Sequence, residues 1–211
     1  MEASTMPLDI SSEKGARISV ATEELWLSMI PAEFREVDLA SCKELNPRLV
    51  EFALACVEIR PMISMYFFGD WGSGKTTLAF ALIRHLMQTV AKEGYFWPNY
   101  ISARDLHGRL TKAVREGYES YEFEIWTNCD LLFVDDLDKT TPTESWKMHL
   151  FEIFNKRMTN NLPSIITCNC IPEDLAHIID GALASRIADK KKWEIIGFPK
   201  KDLRRSKIVQ F

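Results

Sequence analysis

Residues Gly69-Asp70-Trp71-Gly72-Ser73-Gly74-Lys75-Thr76 satisfy the spacing G-x-x-x-x-G-K-[ST], the pattern of a loop that cradles nucleotide phosphates. In such a loop the backbone N–H groups turn inward around the phosphate oxygens, and glycines occupy positions where a Cβ would block the approach or the required φ. Lys75 would then reach the β- and γ-phosphates, and the Thr76 hydroxyl would ligate Mg²⁺. Thr77 continues the first turn of the helix that follows, whose positive end faces the anion. The plainer reading, a glycine-rich turn with a chance Lys-Thr, is disfavoured by the strand pattern before the loop and the helix pattern after it. ATP and Mg²⁺ are the expected cofactors.

A second motif supplies carboxylates. Leu131-Leu132-Phe133-Val134 reads as a buried strand that delivers Asp135 and Asp136 to its C-terminal end, where ligands bind in open α/β sheets. Asp135 is expected to hold Mg²⁺ together with Thr76, and Asp136 to orient or deprotonate an attacking water. The alternative is that Asp135, Asp136 and Asp138 form only a solvated turn. Asn169 follows another apolar run, where it would hold the lytic water or sense the γ-phosphate; an Asn there is otherwise a turn residue. Arg186, at the end of a helix of apolar and small residues, is either a solvated helix-end cation or an arginine finger reaching a neighbouring subunit's nucleotide.

These residues need a scaffold that brings them together. Apolar runs at Ile63–Phe68, Asn99–Ser102, Leu131–Asp135, Ser164–Cys168 and Trp193–Ile196 predict five strands. Helical patterns run over residues 47–58, 76–90, 103–116, 144–158 and 172–188, with Leu49, Phe52, Ala53 and Cys56 forming one stripe of the first. Strands alternating with helices predict a parallel sheet covered on both faces. Residues 1 to about 20 read as a leader with little periodicity, and a short apolar pattern covers Glu23–Met29.

Composition narrows the class. At 211 residues with 46% hydrophobic and 27% charged residues, the chain has the makeup of a single globular domain, and disordered or fibrous classes are excluded. The five cysteines show no C-x-x-C pair and read as reduced, mostly buried thiols. Neither a secretory signal nor an apolar stretch of bilayer length is visible, so the expected location is the cytosol, away from membranes. The net charge of -4 is uneven. From Arg186 onward nine basic residues (Arg186, Lys190, Lys191, Lys192, Lys200, Lys201, Arg204, Arg205, Lys207) face three acidic ones (Asp189, Glu194, Asp202), which leaves an acidic body with a basic end. That end would neutralise DNA phosphates, solubilise the terminus or meet another subunit.

The ordered set resembles the DnaC/IstB-like branch of the AAA+ ATPases, which includes bacterial and phage replicative helicase loaders. Ile30-Pro31-Ala32-Glu33-Phe34-Arg35 looks like the family's segment ahead of the nucleotide site, and Gly69–Thr76 and Leu131–Asp136 match its Walker A and B motifs. Asn155-Lys156-Arg157 followed by Pro163–Asn169 is similar to its arginine-bearing helix and sensor I strand. Pro172–Leu175 with Ser185-Arg186-Ile187 resembles its arginine-finger box, and Asp202-Leu203-Arg204-Arg205 its closing Asp-Tyr-Arg motif. The resemblance implies a P-loop AAA+ core with strand order 5-1-4-3-2, placing Asn169 between the phosphate loop and Asp135. It also implies a homo-oligomer with Arg186 acting in trans. The expected organisation is a flexible or short helical extension at 1–29, an ATPase core at 30–198 and a basic tail at 199–211, with the helical lid absent or minimal and Arg204 a partial substitute for sensor II. Asp136 stands where most AAA+ proteins carry Glu.

The leading expectation is an Mg²⁺-dependent ATPase that assembles on single-stranded DNA and loads or remodels a replicative helicase. In the resembled family the helix after the second strand tends to line a single-strand channel, and Arg104, Arg109, Lys112 and Arg115 are available there. Tyr95, Phe96 and Trp97 would stack bases or, as the plainer reading has it, enter the core. The alternatives are an IstB-like transposition accessory ATPase, a small nucleoside or nucleotide kinase, and a nucleotide-gated interaction protein that barely hydrolyses.

Overall fold

The computed structural model describes residues 18–42, 45–59, 61–89, 96–200 and 202–203. Tyr95, Lys201, Arg204, Arg205 and Lys207 lie outside the described residues, as do residues 1–17. The five expected strands form: β1 (Ser64–Phe68), β2 (Pro98–Ser102), β3 (Leu131–Asp135), β4 (Ser164–Cys168) and β5 (Trp193–Gly197). They make one parallel sheet in the order β2-β3-β4-β1-β5, the expected order read from the opposite edge. Register pairs Phe68 with Cys168 and Ser102 with Asp135, so the C-terminal ends of the strands share one edge.

The interior strands β1, β3 and β4 are buried on both faces because helices cover both, while the edge strands β2 and β5 are partly exposed. Met65, Phe67, Leu131, Phe133 and Ile165 point into one core with α1 (Ile18–Met29), α2 (Pro47–Glu58) and α3 (Lys75–Thr89). Tyr66, Leu132, Val134, Ile166 and Cys168 point into the other, beneath α4 (Ala103–Glu116), α5 (Glu119–Asn128), α6 (Glu144–Thr159), α7 (Pro172–Ile178) and α8 (Gly181–Ile187). Alternate side chains leave a strand on opposite sides, which is how an unbroken apolar run serves two cores. Phe96 packs against the first core and Trp97 against the second, so the plainer reading of these aromatics holds.

Two local features depart from expectation. The helical pattern at 172–188 is two helices, because the Asp180 side chain accepts from Leu183 N and starts α8 afresh. The helix α5 was not expected; its N-cap Tyr118 gives no side-chain hydrogen bond, and its buried set includes Glu122. That carboxylate is matched by Arg109, 2.6 Å from Nε to Oε1, and by the Trp126 indole at 2.9 Å. At the N-terminal side, Trp26 of the short helix α1 is buried against Phe80.

Arg157 of the arginine-bearing helix is fully buried. Its guanidinium donates to Ser164 Oγ at 2.9 Å, Trp126 O at 3.0 Å, Cys129 O at 2.9 Å and Pro163 O at 2.6 Å, with Cys129 Sγ at 3.2 Å. One side chain thus fastens α6 to the end of α5 and the starts of β3 and β4. Replacing it strands several buried acceptors, so Arg157→Met is expected to destabilise the fold by about 3 kcal/mol. A urea titration followed by circular dichroism measures this; a midpoint within error of the parent chain would refute the fastening role.

Candidate nucleotide site

The loop between β1 and α3 is shaped by what lies against it. Gly69 has φ +147°, and a Cβ there would come within 3.0 Å of the Phe198 backbone oxygen, because the chain leaving β5 pairs Phe198 N with Phe68 O at 2.8 Å. Gly74 has φ +93°, and its Cβ would strike Leu45. Leu203 N donates to Gly72 O at 2.8 Å, tying the end of the described chain to the crest of the loop.

Lys75 is 5% exposed, folded beneath this loop. Its ammonium donates to Gly69 O at 2.8 Å, Asp70 O at 3.0 Å and Asn169 Oδ1 at 3.1 Å. Burial pulls its pKa down, opposed by the charges of Asp136, Asp138 and Asp135. Gly69 and Asp70 therefore act through their carbonyls, while Trp71, Gly72, Ser73, Gly74, Lys75, Thr76 and Thr77 line a cavity of about 480 Å³. Glu33, Phe34 and Leu45 from the N-terminal segment, together with Leu203, form its far wall.

Asp135 and Asp136 reach the same cavity from β3. Two hydroxyls donate to one oxygen of Asp135: Thr76 Oγ1 at 2.9 Å and Thr167 Oγ1 at 2.5 Å. Burial raises the Asp135 pKa, with the Thr167 and Thr76 hydrogen bonds working against it. The next residue, Asp136, adopts φ 54° and ψ 54°, a left-handed conformation that a non-glycine residue holds at a cost of about 1–3 kcal/mol. Its N–H donates to Thr167 Oγ1 at 2.8 Å, which fixes the reversal of the chain.

Mg²⁺ takes hard oxygen ligands, commonly one or two carboxylates plus substrate phosphates, and not an all-protein cage. Thr76 and Asp135 offer that donor set, and among the described residues no cluster of three or more His, Cys, Asp or Glu competes for a metal. The Ser73 hydroxyl is buried in the loop with no partner, an unfilled donor facing the cavity. The residues present fit a phosphate with its cation.

Asn169 is placed between the phosphate loop and the carboxylates, with both ends of its amide engaged. While Oδ1 receives Lys75, Nδ2 donates to both oxygens of Asp138, at 3.1 and 2.8 Å, and the Asn169 N–H donates to Asp138 Oδ1 at 3.0 Å. Burial works to raise the Asp138 pKa, but these donors and Lys139 outweigh it and leave the carboxyl below its ordinary value. Asp138 and Thr167 are the positioning residues that motif matching overlooked. Position alone gave the hint: Asp138 is the third carboxylate of the Asp-Asp-Leu-Asp run, and Thr167 is the polar residue inside an apolar strand.

Two sequence-derived residues stand outside this cluster. Trp71 is 69% exposed at the rim, with Lys139 Nζ 4.5 Å from its ring centroid. Arg186 is exposed on α8, with its guanidinium 5.6 Å from the Phe151 ring, and does not line the cavity. No helix among the described residues is long and apolar enough to cross a membrane.

Comparison with known proteins gives three kinds of match. The family model described as the bacterial DnaA ATPase domain matches residues 51–190. The chromosomal replication initiator protein DnaA 2 of Protochlamydia amoebophila (strain UWE25) is 29% identical over 140 residues, covering 66% of this chain and 29% of that protein. The chain spans less than a third of the length of the curated relatives it matches. Among solved structures, replication initiator DnaA bound to AMPPCP and single-stranded DNA superposes with a TM-score of 0.61 at 20% identity, covering 75% of this chain and 47% of that one. The DnaC helicase loader superposes with a TM-score of 0.57 at 20% identity, covering 90% and 95%.

Proposed function

The chain belongs to the family of the bacterial DnaA ATPase domain, within the DnaC/DnaA-like AAA+ ATPases, and on that premise we propose that it binds and hydrolyses ATP as a DNA replication protein that assembles on single-stranded DNA and loads or remodels a replicative helicase. The observation that carries the reading is the convergence of Lys75, Thr76, Asp135, Asp136 and Asn169 on one cavity from three separate strand ends. The family gives no support to the nucleoside kinase alternative.

Within this reading the loop N–H groups and Lys75 hold the phosphates, and the Ser73 hydroxyl finds in a phosphate oxygen the partner it lacks. An entering phosphate replaces one of the acceptors now held by Lys75. Thr76 and Asp135 would hold Mg²⁺, which when bound neutralises charge on the phosphates. Asp136, aimed by its left-handed backbone, orients or deprotonates the water. Asn169 keeps Lys75 and that water in line, and Asp138 keeps Asn169 in place. Arg186, being outside its own cavity, serves the nucleotide of an adjoining copy in a homo-oligomer. The working unit is residues 30–198 with α1 pinned to it by Trp26, and residues 199–211 act as a basic tail toward DNA. The matched solved structures of DnaA with single-stranded DNA and of the DnaC helicase loader support the choice of nucleic acid and partner.

Phosphate release from ATP, measured with and without Mg²⁺ and single-stranded DNA, tests the reading. Turnover that requires Mg²⁺ and rises with single-stranded DNA is expected; duplex stimulation alone would favour the transposition accessory, and absence of nucleotide binding would end the proposal. A finer test is Asp138→Ala. It releases Asn169 without touching the phosphate loop, so turnover should fall on the order of 10- to 100-fold while nucleotide affinity changes little. Equal losses in both would place Asp138 among the binding residues instead.

A further inference from the structure

β4 ends in Cys168-Asn169-Cys170, and the proposed ATPase chemistry uses only the middle residue. The chain bends at Asn169 and Cys170, which brings the two thiols onto one side with their sulfurs 3.1 Å apart. Cys168 is buried and Cys170 is partly exposed, so a reagent meets Cys170 first. Tyr66 closes the inner side: its hydroxyl donates to the Cys170 carbonyl at 2.8 Å and lies 3.8 Å from Cys170 Sγ.

We propose that Cys168 and Cys170 are an oxidisable dithiol that a hydroperoxide closes to an intramolecular disulfide, drawing Asn169 away from Lys75 and Asp138. The Cys170 thiolate attacks the hydroperoxide, breaking its O–O bond and giving a sulfenic acid and an alcohol (water, when the oxidant is hydrogen peroxide). The Cys168 thiol then condenses with that sulfenic acid, the S–S bond forming as the S–O bond breaks and water leaves. Two thiols are oxidised, and one hydroperoxide is reduced to alcohol and water. The polarity of the pair suits this order: the hydrogen bond with Cys168 lowers the Cys170 pKa, although burial and the charges of Asp138 and Asp174 oppose it.

The consequence for Asn169 follows from the sulfur separation. The two sulfurs, 3.1 Å apart in the reduced chain, must close to about 2.05 Å in a disulfide, and Asn169 is the residue that links them. Closing the ring tightens the bend at Asn169, whose own N–H and side chain both depend on Asp138. The structure thus joins a thiol pair to the residue that holds Lys75.

The effect on turnover rests on the proposed ATPase reading; the disulfide does not, and the test separates them. Trypsin releases residues 158–186, which contain Cys168 and Cys170 and no other cysteine. The reduced full chain is treated with hydrogen peroxide, denatured, alkylated with N-ethylmaleimide and digested. That peptide should emerge lighter by about 2 Da and unalkylated, and dithiothreitol should restore both thiols. Turnover should fall by about tenfold or more on oxidation and recover on reduction. Cys170→Ser and Cys168→Ala should each keep the reduced-state turnover and lose the reversible response. Two alkylated thiols after peroxide, or a sulfinic acid without a disulfide, would overturn the proposal. A disulfide with unchanged turnover would overturn the link to Asn169. A reduced chain without turnover that still loses 2 Da would sink the ATPase reading and leave the dithiol standing.

Discussion

Lys75→Met should lower ATP turnover on the order of 10²–10³-fold, the loss typical of removing one well-placed donor to developing charge, and should weaken nucleotide binding as well. The ammonium joins Gly69 and Asp70 of the loop to Asn169, which follows β4, so on the proposed reading it is a phosphate ligand as well as a strut between two strand ends. Methionine keeps an apolar stem of similar length and removes the charge together with its three hydrogen bonds. Because burial disfavours that charge in the folded chain, the thermal midpoint should change little, in contrast to Arg157→Met. Equilibrium binding of AMPPCP beside phosphate release measures both effects, and a melting curve checks the fold. Undiminished binding would mean that the phosphates do not seat in this loop.

Arg186→Ala carries the other large effect, and it is of a different kind. The exposed guanidinium rests near Phe151 and leaves its own cavity unserved, so its chemistry must be done on another copy or not at all. On the proposed trans role its loss should cost about 10³–10⁵ in rate, with nucleotide affinity of the isolated chain nearly unaffected. Mixing Arg186→Ala with Lys75→Met chains distinguishes this from misfolding. In a mixed assembly some cavities have an intact Lys75 facing an intact Arg186, and part of the activity should return. No return in assemblies shown to contain both chains would remove Arg186 from the catalytic set.

The interior strands are legible because burial on both faces leaves a largely apolar run, and Ser164–Cys168 is bounded to the residue. Lys75, Thr76, Asp135 and Asn169 were legible because each sits at a fixed offset from such a run. What the pattern missed has physical reasons. The α5 helix lacks a side-chain cap and buries Glu122, whose charge is matched by Arg109 from another helix, so no local apolar stripe announces it. The helical pattern at 172–188 continues through Asp180, and only the capping hydrogen bond to Leu183 N reveals the break. Asp138 and Asn169 are 31 positions apart in the chain, and Arg157 is held by main-chain carbonyls, which no side-chain alphabet records. The far wall of the cavity includes Phe34, Leu45 and Leu203, whose apolar side chains resemble any other packing.

The sheet order has a consequence for how the chain comes into being. β1 is an interior strand whose two neighbours, β4 and β5, are both made later; Ser64 meets Ser164 across 100 positions. At roughly 5–20 residues per second of synthesis, Ser-Met-Tyr-Phe-Phe waits about 5 to 20 s after it is made before the first of these partners is complete. Short apolar aromatic segments of this sort pair readily with whatever strand they meet. Birth on the ribosome, more than life in the finished fold, is therefore when this chain most needs protection from aggregation, and a truncation ahead of β4 would prolong that exposure indefinitely.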